Sequence, residues 1–127
     1  MTPTTEFFGI PIVDVPATVD TPTTVARYLA TWLEAKGQLP ANELDRIVKA
    51  TMKRESLGST GIGRGFALPH TTSDAIEKSA FVLGRLAVPV EWDAIDGAPV
   101  HTVAFLVCNG SDRAATMREL AELVVRI

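Results

Sequence analysis

The stretch Arg54-Glu55-Ser56-Leu57-Gly58-Ser59-Thr60-Gly61-Ile62-Gly63-Arg64-Gly65-Phe66-Ala67-Leu68-Pro69-His70 gathers residue types that handle an anion. It holds a cation, Arg54, and two adjacent hydroxyls, Ser59 and Thr60. It then has three alternate glycines, Gly61, Gly63 and Gly65, and an imidazole behind a rigid proline. Imidazole is a competent nucleophile near neutral pH because its neutral form is well populated. One ring nitrogen must be free to attack, so the other should donate its proton to a fixed acceptor. Phosphoryl transfer asks a protein mainly for positioning and charge stabilisation. Arg54 suits the second task, with its charge and paired donors. Backbone N–H groups near Ser59 and Thr60, or the hydroxyls themselves, suit the remaining phosphate oxygens. Gly61 and Gly63 allow the backbone a close approach.

Competing readings of the same residues are weaker. Gly61-x-Gly63-x-Gly65 faintly resembles a dinucleotide loop, but such a loop follows a strand and opens a helix, and here the order is reversed. No Gly-Lys-Ser/Thr follows, so a Walker loop is excluded. The plain alternative for the glycines is a tight surface turn, and for Ser59 and Thr60 a role as turn formers. Arg54 could be simply a helix-end cation, as Lys53 beside it could. His101 reads as a hydrogen-bonded histidine at a strand end, and Arg64 as a solvated side chain near His70. Trp32 and Trp92 read as packing residues, and Cys108 as a small buried hydrophobe. Two separated histidines and one cysteine have no metal-ligand spacing, so neither metal nor cofactor is expected.

The elements that must position these residues are legible from pattern. Gly9 to Val15 reads as a short strand, at an edge because Pro11 lacks an N–H. Thr21-Pro22 opens a helix, with Thr21 as N-cap. Val25, Leu29, Trp32 and Leu33 make its apolar face, and Gly37 ends it. Pro40 opens a second helix with Glu43 near its start and Leu44, Ile47, Val48 and Met52 as its stripe. Phe66-Ala67-Leu68 reads as a strand ending at Pro69-His70, Ala80 to Leu86 as another, and Pro99 to Cys108 as a central strand buried on both faces. Asp96-Gly97 is a turn signal. Ser111 or Asp112 caps a last helix bearing Met117, Leu120, Ala121 and Val124 on one face. Strands interleaved with helices predict an α/β fold.

The chain's 127 residues fit one domain able to bury a core. Residues 1–8 read as a loose lead-in and 9–127 as the domain. The last helix reaches Ile127 without glycine, polar tail or cap, and is expected to be cut short. A net charge of -3, with both signs mixed along the chain, lacks the basic footprint of a nucleic-acid binder. No apolar run is long enough to span a bilayer, and the N-terminus lacks a secretory pattern. A single cysteine precludes an internal disulfide. A cytoplasmic protein without direct membrane insertion is expected.

Ser59-Thr60-Gly61-Ile62-Gly63-x-Gly65-x-Ala67-Leu68-Pro69-His70, with Arg54-Glu55 ahead of it, resembles the signature of type-2 EIIA domains. These belong to the phosphoenolpyruvate-dependent phosphotransferase system (PTS), in its fructose, mannitol and nitrogen-regulatory class. Asp93-Ala94-Ile95-Asp96-Gly97-Ala98-Pro99-Val100 resembles that family's lead into a long buried strand. The resemblance runs from about Ile10 to the end. It implies a three-layer α/β/α sandwich with a small mixed sheet. It also implies that His70 is phosphorylated by an HPr-like phosphocarrier protein and passes the phosphoryl group to a EIIB protein or domain, usually on a cysteine. Arg54 matches the family arginine near the phosphate. Many members carry a second histidine early in the last helix, and the corresponding residue here is Thr116. A hydroxyl can bond to imidazole or phosphate but supplies no titratable charge, which bears on transfer rate more than on phosphorylation. Three functions follow: a sugar-transport phosphocarrier, a nitrogen-type regulator with phosphorylation-dependent protein targets, or a domain that has lost transfer.

Overall fold

The computed structural model describes residues 6–7, 9–94 and 96–126. The chain runs β1 (Glu6–Phe7), β2 (Ile10–Val15), α1 (Pro22–Ala35), a 3-10 turn and α2 (Leu44–Leu57). It continues through β3 (Gly61–Gly63), β4 (Phe66–Ala67), β5 (His70–Ser73), β6 (Ala80–Val90) and β7 (Val100–Asn109). A second 3-10 turn leads into α3 (Arg113–Arg126). The strands form one mixed sheet in the order β1-β2-β6-β7-β4-β3, and β5 also lies against β7. The strand β7 is the axis of the sheet, antiparallel to β6 and parallel to both β4 and β5.

Alternation along β7 makes the layers. Val103, Phe105 and Val107 face a core shared with Val25, Leu29 and Leu33 of α1 and Ile47 and Val48 of α2. Ala104, Leu106 and Cys108 face the other side, with Leu83 and with Met117 of α3. Helices on both faces of a mixed sheet give the expected α/β/α sandwich. Thr21 caps α1 as its sequence predicts, its hydroxyl accepting from Thr24 N at 3.2 Å, with Pro22 at the first helical position. Gly37, at φ +76°, ends it.

Several local expectations are corrected. Glu6–Phe7 of the expected lead-in pairs with Ile10 and Pro11, so β1 and not β2 forms the sheet edge. Pro11 is tolerated because the β2–β6 ladder begins after it, at Ile12. Pro40 precedes a 3-10 turn, Ala41–Glu43, and α2 proper starts at Leu44. A 3-10 turn, Gly110–Asp112, precedes the last helix, and Asn109 caps that turn, its side chain accepting from Ser111 N at 2.8 Å. The side chains of Leu120, Ala121 and Val124 lie outside the described residues, as does the rest of the lead-in.

Candidate functional site

His70 opens a strand where the sequence predicts that one ends. The break falls at Leu68-Pro69, after β4 has paired with Thr102 and Val103. Proline cannot donate to the ladder, but its carbonyl accepts from Leu106 N at 3.2 Å, and the chain rejoins β7 with His70 opposite Leu106. The kink turns the half-buried imidazole back on its own backbone. Its Nδ1 lies 2.7 Å from Leu68 O. A carbonyl only accepts, so in the neutral ring Nδ1 carries the proton and Nε2 keeps its lone pair. This is the fixed acceptor that nucleophilic chemistry at His70 requires.

The glycine-rich segment ahead of it is a β-hairpin, β3 against β4, where the sequence suggested only a close-approach loop or a turn. Periodicity could not reveal it, since glycines carry no pattern. A Cβ on Gly61 would sit 2.8 Å from Ala94 Cα, so bare backbone is needed there for packing. Gly63, Arg64 and Gly65 turn the chain with φ of +90°, +59° and +81°. A Cβ on Gly65 would overlap the His101 imidazole. That ring meets Phe66 edge-on at 5.4 Å, and its Nδ1 is 2.8 Å from Thr102 Oγ1. The N–H groups of His101 and Thr102 both donate to Gly65 O, at 2.8 and 3.1 Å. The turn is also held from outside, where Arg64 N donates to Asp96 Oδ2 and Ala98 N to Asp96 Oδ1, each at 3.0 Å. These N–H groups hold the Asp96 carboxyl below the ordinary carboxylate range.

The two hydroxyls are occupied within the fold. Ser59 Oγ donates to Trp92 O at 2.6 Å and accepts from Gly61 N at 3.0 Å. Thr60 donates twice to Glu55, from N to Oε2 at 3.1 Å and from Oγ1 to Oε1. Glu55 was missed as a site residue; the available signal was its place between Arg54 and the hydroxyl pair. Arg54 is exposed in the last turn of α2, a helix that packs on β5. Among the described residues it has no hydrogen-bond or ion-pair partner. Thr116 is half-buried in the first turn of α3, its Oγ1 3.4 Å from Ser79 Oγ. Among the described residues no cluster of His, Cys, Asp and Glu could hold a metal ion, and no helix is long and apolar enough to cross a membrane.

The geometry is that of a three-layer α/β domain displaying a half-buried imidazole whose Nδ1 is held by a main-chain carbonyl. Comparison with known proteins supplies the family. Residues 7–127 match the family model described as phosphoenolpyruvate-dependent sugar phosphotransferase system, EIIA 2, and the chain belongs to that family. It is 37% identical over 92 residues to a nitrogen regulatory protein of Pseudomonas aeruginosa, covering 70% of this chain and 60% of the relative. It is 31% identical over 97 residues to the 2-O-α-mannosyl-D-glycerate-specific EIIABC component of Escherichia coli, covering 75% of this chain but 14% of the relative. The chain thus spans only part of the curated relatives it matches. Among solved structures, the nitrogen regulatory protein IIA-Ntr from Neisseria meningitidis superimposes with a TM-score of 0.74 at 25% identity, over 87% of this chain and 73% of that one. Enzyme IIAMtl of Escherichia coli, solved in complex with phosphorylated enzyme IIBMtl, shares the fold with a TM-score of 0.63 at 17% identity, over 81% of this chain and 71% of that one.

Proposed function

We propose that the chain is a phosphohistidine carrier, accepting a phosphoryl group on His70 from an HPr-like protein and passing it to a EIIB component. The observation that carries this reading is the Nδ1–Leu68 O bond, which leaves Nε2 as the attacking atom. In the step, the Nε2 lone pair forms the new N–P bond while the N–P bond of the donor phosphohistidine breaks. The donor imidazole keeps the electron pair of that bond. The proton stays on Nδ1, donated to the Leu68 carbonyl, throughout. Arg54, exposed and without a partner among the described residues, neutralises the phosphate oxygens as charge moves. Onward transfer reverses the roles, with a EIIB cysteine thiolate attacking phosphorus and His70 leaving as neutral imidazole. This reading assigns the chemistry to the domain of residues 9–127 and a cytoplasmic setting.

A second reading is a regulator whose phosphorylation state selects protein targets. It is favoured by the relatives of comparable length, which are nitrogen regulatory proteins, whereas the matched EIIABC relatives are several times longer. One experiment tests the common core of both readings. The protein is incubated with phosphoenolpyruvate, Enzyme I and HPr, and its mass and acid lability are followed. One acid-labile phosphoryl group, absent in His70→Ala, is expected. Labelling that survives His70→Ala refutes the assignment, and no labelling by any native HPr paralogue favours a domain that has lost transfer. Adding candidate EIIB proteins then separates carrier from regulator.

A further inference from the structure

Glu55 stands where local physics disfavours it. It lies in the last turn of α2, where unpaired carbonyls repel a carboxylate and favour cations such as Arg54 beside it. Its carboxylate holds both donors of Thr60, the backbone N–H and the hydroxyl, just past the helix end. Thr60 O in turn accepts from Leu68 N at 3.1 Å, and Leu68 O accepts from His70 Nδ1 at 2.7 Å. An unbroken series of hydrogen bonds therefore runs from a helix side chain to the nucleophilic ring.

From this series we infer that Glu55 is a positioning residue for His70, acting through Thr60 and Leu68. The link is mechanical. The N–H and C=O of one residue belong to different peptide planes, so each step passes on position and not polarisation. Position is what this segment lacks by itself. The strands β3 and β4 are three and two residues long, joined by Arg64 and Gly65, both at positive φ like Gly63 before them. Pairs this short do not hold their own geometry, and only β4 of the two is laddered onto β7, leaving β3 as the outer strand. The residues leading into β3 are tied twice, Ser59 to Trp92 O and Thr60 to Glu55 of α2. Bonds to a carboxylate are roughly twice as strong as neutral ones, which suits an anchor. Without it Thr60 loses its tether, Leu68 O can drift from Nδ1, and the proton can move to Nε2.

The kinetic half of this inference rests on the phosphoacceptor reading; the tautomer half does not. The test follows the imidazole 15N shifts of His70 across pH in the intact chain, with His101→Ala used to assign the two histidines. Wild type, Glu55→Ala, Glu55→Gln and Thr60→Val are compared, along with phosphorylation rates from phosphoenolpyruvate, Enzyme I and HPr. Neutral wild-type His70 is expected as the Nδ1–H form. Glu55→Ala is expected to show a tautomer mixture and a rate loss on the order of ten- to hundred-fold, as for a misplaced reacting group. Glu55→Gln, whose amide oxygen can accept from Thr60 N while its NH2 donates to Thr60 Oγ1, keeps both legs and recovers most of both. Folded Glu55→Ala with an unchanged tautomer overturns the inference. Should Glu55→Ala fail to fold, Thr60→Val removes the hydroxyl leg alone, and an unchanged His70 tautomer there overturns it equally. A tautomer that follows Glu55 in a protein that HPr never phosphorylates refutes the proposed function and leaves the positioning role standing.

Discussion

Gly65→Ala should be among the costliest single-methyl additions in the site, for two separable reasons. The first is backbone. Gly65 has φ +81°, and an L side chain in the left-handed region costs about 1–2 kcal/mol. The second is the neighbour, since the new Cβ would overlap the His101 ring. His101 is exposed, so its ring can swing away instead of forcing the backbone apart. In doing so it gives up the edge contact with Phe66 and the bond to Thr102 Oγ1, together about 1–2 kcal/mol. The substitution should therefore destabilise the domain by about 2–4 kcal/mol, or roughly 8–16 °C in Tm at about 4 °C per kcal/mol. Urea unfolding followed by Trp32 and Trp92 fluorescence measures this directly. The decisive comparison is the same substitution in a His101→Ala background. There only the backbone cost of about 1–2 kcal/mol should remain, giving a coupling of about 1–2 kcal/mol between two residues far apart in sequence. Equal losses in both backgrounds would refute the steric half of the reasoning. A loss below about 0.5 kcal/mol, the range of inert surface changes, would refute the backbone half.

Three further outcomes are expected. Arg54→Ala should leave unfolding unchanged, since the side chain is exposed and unpartnered among the described residues, but slow phosphorylation of His70 about ten-fold or more, with Arg54→Lys intermediate; stopped quench-flow with HPr measures it. Asp96 has its carboxyl lowered by backbone N–H donors in the folded protein. Its contribution is therefore fully present above the unfolded carboxylate range and is lost as pH falls below about 4. Urea titrations between neutral and acid pH should show a shallower acid decline for Asp96→Asn than for wild type. Thr116→His restores a titratable group in the first turn of α3, and should speed transfer between HPr and a EIIB acceptor; an unchanged rate would show that this position does not face the phosphoryl group.

What was legible in the sequence was local. Thr21-Pro22 and Gly37 bound α1 because capping and left-handed turns are chemistry of single residues. The apolar run before Cys108 announced β7 because a strand buried on both faces needs no polar alternation. His70 stood out through the residues around it. What escaped was created by tertiary contact. The strand β3 exists because Gly61 and Gly63 pair with β4, not through any strand propensity of their own. Glu55 looks like any acidic helix residue until Thr60 is folded against it. His101 read correctly as a strand-end residue, but its seat on Gly65 joins positions that only the parallel pairing of β4 with β7 brings together. The strand was expected to stop at His70 because a proline precedes it; the ladder resumes because Pro69 contributes only its carbonyl.

The acceptor on His70 Nδ1 is a main-chain oxygen, and this has an evolutionary consequence. No codon change can delete it. Leu68 is partly buried in the smaller apolar cluster under α3, and its side chain can vary in size and shape while the same carbonyl stays in place. Packing and proton placement are thus encoded in separate atoms of one residue. A lineage can repack this cluster without moving the proton on the His70 ring.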